Sequence, residues 1–386
     1  MKQNSITNAK LPRPDGTVTK GHVQIERGNI RSVSTDRAEP DGSGDIVEAS
    51  GSLLMPGFLD VHIHGAVGVD VNSADAGQML EMAAFLARNG VTAWVPTLVP
   101  DSDEVYRRVI AEIDRLIEMQ EGEPVAQAVG VHYEGVFANA KMCGALRPEY
   151  FKKFSGSEVR QLPRLKKGVH ITTFAPEIEG GVELVEELVR EGWIASIGHT
   201  RADSDTLERA FAAGARHMTH FFNAMSGIHH RDIGVAGWGL AKAGVTFDII
   251  ADGVHVHPEM LTLAVRAKTP ANVILISDSV SPTGMGDGEF SIWGEQVSVV
   301  DGRTTNERGS IAGSVITMRD AVRRMLSLGC TPAETASMAS TNPARLLGLD
   351  DERGSIEAGK RADLVGIGPD GSIDFVMIGG RMVDLN

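Results

Sequence analysis

Two histidines, His62 and His64, stand two residues apart near the end of the apolar run PGFLDVHIHG (56–65). In an extended strand residues i and i+2 face the same side, so both imidazoles can converge on one point. Neutral imidazole is the commonest protein ligand for a transition metal. An HxH pair alone serves equally well as two hydrogen-bonded core histidines, so the later residues decide. Glu134 lies in VHYEG, His199 in IGHT, His220 in MTHFFNAM, His255 in ADGVHV and Asp278 in SDS. Each closes an apolar, strand-like stretch. Leaving His255 aside, these are four histidines and two acids of metal-ligand type at the ends of five strands. Buried imidazoles and carboxylates must be paired or coordinated, because isolating them costs several kcal/mol. One divalent-metal centre, with one ion or two, accounts for the whole set. A His/Asp/Glu shell accepts several divalent metals, zinc and iron foremost among the candidates, and leaves their identity and number open.

The elements needed to position these residues are written in the hydrophobic pattern. Eight strand-like runs alternate with helical ones: GFLDVHIHG, VTAWVPTLV, AVGVHYEG, HITTFAPE, IASIGHT, HMTHFFNAM, TFDIIADGVHV and NVILISDS. ADAGQMLEMAAFLARNG and VELVEELVREG are examples of the helices, each ending in a capping glycine. Eight such units predict an α/β fold, a (β/α)8 TIM-like barrel, with its active site at the C-terminal strand ends. The runner-up, an open doubly wound sheet, would leave those polar ends without a common centre. Residues 1–54 and 346–386 carry strand and turn signals without helical period. They are expected to pair into one small β-sandwich domain, leaving 55–345 as the barrel. GEFSIWGEQVSVVDGRTTNERGSIAGS, after the eighth strand, reads as a hairpin insertion near the barrel mouth.

Composition narrows the function classes. Of 386 residues, 37 are basic and 51 acidic, for a net charge of −14. Such a chain repels nucleic acid and anionic membrane, so neither is expected as a partner. Cys143 and Cys330 are the only cysteines, which fits a reducing compartment. The N-terminal MKQNSITNAK has no apolar core of a signal peptide, and no 18-residue apolar run occurs. A cytoplasmic location is the expectation.

In order along the chain, PGFLDVHIHG, VHYEGVF, TFAPE, GHT, THFFNAM, ADGVHV, SIAGSVITM and TNPARLLGLDDERGSIEAGKRADLV resemble the N-acetylglucosamine-6-phosphate deacetylases of the amidohydrolase superfamily. The resemblance runs from about residue 53 to the C-terminus. It implies Glu134, His199 and His220 as the principal metal ligands and His62 and His64 as the superfamily's second site, with Glu134 bridging. Asp278 matches the catalytic acid/base, and His255 a residue that contacts substrate and helps polarise the acyl carbonyl or bind phosphate. Asn223 and Ala224 match sugar-phosphate contacts, and Arg231 in IHHRDIG the phosphate-binding arginine, whose planar fork suits a dianion. Ala145, Leu146, Ile311, Ala312 and Gly313 fall in matching substrate-binding segments. A homodimer is also implied, with the partner subunit able to reach the phosphate pocket.

Three positions depart from the family pattern. Val136 replaces the proline of EGPF, Leu146 stands where a histidine follows GA, and RDIG replaces REPG. The metal chemistry survives these changes. They leave open a related amino-sugar phosphate, such as N-acetylgalactosamine 6-phosphate, or another N-acyl group. Other N-acyl hydrolases of the superfamily bridge two ions with a carboxylated lysine on the fourth strand, and TTFAPE offers none. A catalytically dead scaffold on the same fold would have lost ligands, and none is missing here.

Overall fold

The computed structural model describes residues 3–13, 15–35 and 45–386. The part of the N-terminal β-rich piece at 36–44 lies outside them. Eight parallel strands form the central barrel: Phe58–Ile63, Val91–Leu98, Gly130–Phe137, Val169–Phe174, Ile194–Ile197, His217–Met218, Thr246–Ile250 and Val273–Ile276. We call them the first to the eighth barrel strand. Each pairs in parallel with the next from the first through the eighth. The first three and the eighth are buried almost throughout, as sheets covered on both faces require.

Between the eighth strand and the first, no ladder is formed. This seam is closed by single bonds: Asp278 N–H to His62 O (3.0 Å) and His64 N–H to Ser279 O (2.8 Å). Below them the Asp60 carboxylate accepts the Ser277 hydroxyl at 2.5 Å and the Ser277 N–H at 3.3 Å. The register of the first strand against the second also shifts between Asp60 and Ile63. Such irregularities re-aim side chains, here immediately before the two histidines.

The helices pack outside. Ala76–Arg88 starts with a capping box, Asp75 with Gln78, and buries Met79, Met82, Ala83 and Leu86 at helical spacing against the sheet. At the opposite end from the site, Ala344 and Leu347 pack on Leu59, Val61, Ile274 and Ile276.

Among the described residues the two termini meet in one eight-stranded, mostly antiparallel sheet built from Gln3–Pro12, Val18–Glu26, Asn29–Ser34, Ile46–Glu48, Leu53–Pro56, Leu364–Ile367, Ile373–Ile378 and Arg381–Met382. The turn joining its second and third strands places Arg27 and Gly28 at φ 55° and 84°, the doubly left-handed geometry that matches strand twist in a two-residue hairpin. The sheet folds back so that Asn29 bridges Arg361, enclosing a separate core of Ile6, Val23, Ile25, Leu54, Leu364, Phe375 and Met377. The expected insertion is a three-stranded meander, Gly288–Ile292, Glu295–Val300 and Arg303–Asn306. Both cysteines are free, and no helix among the described residues is long and apolar enough to cross a membrane.

Candidate metal centre

At the C-terminal ends of the strands, six side chains aim their ligand atoms at one another. Glu134 Oε1 lies 3.0 Å from His199 Nε2 and 3.0 Å from His220 Nε2, and those two nitrogens are 3.0 Å apart. Beside this trio, His62 Nε2 and His64 Nε2 are 3.1 Å apart, and Asp278 Oδ1 lies 3.4 and 3.3 Å from them. Glu134 joins the two groups, its other oxygen standing 3.3 Å from His64 Nε2. All six residues are buried.

These contacts are not an ordinary hydrogen-bond network. His199 Nδ1 faces Met142 O at 2.8 Å and His64 Nδ1 faces Thr97 O at 3.2 Å. A carbonyl only accepts, so in the neutral rings the proton sits on Nδ1, and Nε2 turns a lone pair toward other lone pairs. A cation at the centre converts that repulsion into coordination. Ligand atoms about 2.0–2.2 Å from one ion stand about 3.0–3.5 Å apart, the spacing both trios show. The electrostatics show the same demand for positive charge, which protons on the imidazoles can also meet. Burial alone would raise the Glu134 carboxyl, but His62, His199 and His220 outweigh it and hold it well below the carboxylate range. Burial would lower His64 and His220, yet their carboxylate neighbours lift them to about 10 and about 9. The site is thus a pocket of negative potential that fits one or two divalent ions.

The backbone at the ligands is unusual. His199, His220 and Asp278 have φ of 47°, 31° and 49°, a left-handed conformation that non-glycine residues adopt only where surroundings enforce it. The sixth strand ends at Met218, shorter than the run HMTHFFNAM predicts, because the chain swings left-handed at His220, Phe222 and Ala224. That swing carries Asn223 and Ala224 into the site.

A cavity of about 260 Å³ opens on the ligands, near the roughly 300 Å³ lower bound of small-molecule pockets. His255, Asn223, Ala224, Ala145, Leu146, Ile311 and Gly313 line it beside the metal-ligand side chains. His255 is held by Asp252, whose carboxylate accepts from Nδ1 at 2.6 Å and from the backbone N–H groups of Val254 and His255. Ala312 sits behind this wall, buried in an apolar cluster with Val280, Ile292 and Val297. Arg231 does not line the cavity; it is exposed, its guanidinium 2.5 Å from His230 Nε2. Trp293, which the sequence reading passed over, projects from the turn of the inserted meander and sets its ring edge-on to His64, 5.2 Å between centroids. An indole at a two-residue turn in an exposed hairpin was the available signal. A larger cleft, about 990 Å³, separates the terminal sheet from the barrel near Lys10, Leu53, Arg323 and Ile367. Both ligating trios lie elsewhere, so chemistry rather than size marks the smaller cavity as the site.

The amidohydrolase-family profile matches residues 53–383. The chain belongs to the amidohydrolase family, in the group that holds the N-acetylglucosamine-6-phosphate deacetylases. It is 34% identical over 380 residues to the N-acetylglucosamine-6-phosphate deacetylase of Bacillus subtilis, covering 98% of this chain and 96% of that one. It is 35% identical over 340 residues to the N-acetylgalactosamine-6-phosphate deacetylase of Escherichia coli O157:H7, covering 87% and 89%. The crystal structure of N-acetylglucosamine-6-phosphate deacetylase from Thermotoga maritima superposes with a TM-score of 0.88 at 32% identity, over 98% of this chain and 99% of that one.

Proposed function

We propose that this protein is a metal-dependent amide hydrolase that removes the N-acetyl group of N-acetylglucosamine 6-phosphate, giving glucosamine 6-phosphate and acetate. The observation carrying this reading is the convergence of two ligand trios, with Asp278 among them, on a cavity of small-metabolite size. Zinc or iron is the metal we assign, held by Glu134, His199 and His220, with His62, His64 and Asp278 offering a second position. When bound, such an ion supplies Lewis acidity to an acyl carbonyl and acidifies water.

The protein's own groups then divide the work. Asp278 takes the proton of the attacking water on its carboxylate and returns it to the amide nitrogen, because an amine leaves only when protonated. His255, oriented through Nδ1 by the Asp252 carboxylate, offers its Nε2 edge to the carbonyl oxygen as negative charge builds there. Ala145, Leu146, Ile311 and Trp293 form an apolar wall that limits water around the reacting amide. Arg231, exposed and outside the cavity lining, fits phosphate recognition across a homodimer, where it would serve the neighbouring subunit's pocket. Free cysteines and the acidic surface support a cytosolic setting.

A second reading is favoured by Leu146 in the cavity wall and by the similarity to the galactosamine enzyme: the 4-epimeric sugar phosphate is the substrate. One assay separates the two. Metal-reconstituted protein is given N-acetylglucosamine 6-phosphate, N-acetylgalactosamine 6-phosphate and both sugars without phosphate, and acetate release is followed. The larger kcat/KM among the phosphorylated pair names the sugar. Acetate from none of the four would end the deacetylase reading.

A further inference from the structure

We propose that Asp248 is a positioning residue for the metal ligand His220, acting through the ligand's backbone rather than its ring. The inference rests on the metal site proposed above. Ligating histidines are commonly oriented by a partner on the second ring nitrogen. His199 has Met142 O and His64 has Thr97 O in that role. His220 has none: its Nδ1 is buried without a hydrogen-bond partner among the described residues. Its orientation must therefore come from the main chain, which at His220 is left-handed, with φ 31°.

The ladder between the sixth and seventh strands ends at Met218 and Phe247. Beyond it the His220 N–H leaves the sheet and would be stranded in the barrel interior, at a cost of about 1–3 kcal/mol. The Asp248 carboxylate meets it instead: Oδ1 accepts the His220 N–H. The Asp248 carbonyl accepts the next N–H, that of Phe221, at 2.8 Å. Oδ2 in turn accepts from His217 Nε2 at 3.0 Å, and His217 Nδ1 lies 2.8 Å from Thr246 Oγ1. Asp248 and His217 are each 2% exposed. The result is a relay, Thr246 to His217 to Asp248 to the His220 main chain, that fixes the turn from which the ligand's ring projects. None of its first three members lines the cavity or stands in either ligand trio.

The test is titration of chelator-stripped protein with Co(II), reading affinity and the visible d–d spectrum, with thermal midpoints measured in parallel. Asp248→Ala should weaken Co(II) binding about 10- to 100-fold and alter the spectrum, because the imidazole is no longer held on the ion. Asp248→Asn keeps an acceptor for the His220 N–H, and its amide can donate to His217 Nε2 once that ring carries its proton on Nδ1. It should stay within about threefold of wild type with an unchanged spectrum. His217→Ala frees one end of the carboxylate and should fall between the two. It decides the matter if Asp248→Ala does not fold. Wild-type affinity and spectrum in Asp248→Ala, or in His217→Ala if that is the measurable variant, overturn the inference even if thermal midpoints drop. A wild-type chain that binds no Co(II) removes the metal site itself, and this inference with it.

Discussion

Replacing Asp60 by asparagine should stabilise the metal-free protein at neutral pH. The Asp60 carboxylate is 1% exposed. Burial raises its pKa from 3.8 to about 6, against the opposing pull of its hydrogen bonds from Ser277 and from the His62 N–H. The sign follows from which state holds the proton more tightly. Here it is the folded one, so between about pH 6 and 4 each step down in pH stabilises the native protein through this group. Above pH 6 the ionised carboxylate is a standing cost. The gap between 3.8 and about 6 corresponds to about 3 kcal/mol. Asparagine keeps the shape and an acceptor for Ser277 without the charge. The expected gain is therefore up to about 3 kcal/mol at pH 7.5, shrinking toward zero at pH 4, less whatever the weaker neutral hydrogen bond forfeits, about 1 kcal/mol.

The assay is urea unfolding of wild type and Asp60→Asn at pH 7.5 and pH 4.5, after chelation, because a cation beside His62 would draw the proton off Asp60. A variant less stable than wild type at pH 7.5, or a gain of the same size at both pH values, would refute the reasoning. The first result would mean that the charge holds the barrel seam together rather than straining it, and the second that the gain does not come from removing the charge. If the gain appears and metal affinity drops with it, the carboxylate is kept for the registry of His62 and Asp278 across the seam, stability being traded for the site.

Three further outcomes follow from the geometry. Asp278→Asn should lower turnover about 100- to 10,000-fold while metal analysis still finds the ion on Glu134, His199 and His220, since Asp278 belongs to the other trio. Glu134→Gln should deplete metal from both positions, because the two carboxylate oxygens face different trios; an ion count equal to wild type by plasma emission would contradict the bridging role. Arg231→Ala should raise KM for the phosphorylated sugar about tenfold or more, in line with a lost charged hydrogen bond. It should leave hydrolysis of the unphosphorylated sugar unchanged, and equal effects on both sugars would remove Arg231 from phosphate recognition.

The barrel and the six clustered side chains were legible in the sequence because both rest on strong local rules. Continuous apolar strands alternate with capped amphipathic helices, and metal chemistry accepts few residue types, here placed at strand ends. Asp60 and Asp248 were not legible in the same way. Each is a lone acid inside an apolar run, FLDVHI and TFDII, which signals that something must neutralise it but not what. The partner depends on where a ladder stops: Ser277 faces Asp60 because the first and eighth strands do not pair, and the His220 N–H faces Asp248 because the sixth strand ends two residues earlier. Trp293 reaches His64 only through the path of the inserted meander. Arg231 was placed by resemblance alone, and the barrel it belongs to leaves it exposed.

Three of the six clustered residues, His199, His220 and Asp278, occupy backbone conformations that cost about 1–3 kcal/mol each, and each is held there by a different element. The His199 carbonyl accepts from Asn139 N–H at 3.1 Å while its ring bonds to Met142 O, both in the loop after the third strand. Asp278 is pinned between His62 O and the N–H of Ser314, beyond the inserted meander. His220 is pinned by Asp248 on the seventh strand. No one segment can therefore prepare its ligand alone: the left-handed turns persist only once the neighbouring strand or loop is docked. A fragment carrying HIHG or IGHT should consequently show no more metal affinity than any peptide with the same histidines. The centre is a property of barrel closure, and substitutions that loosen the seam or the interstrand clamps should lower metal affinity before they unfold the chain.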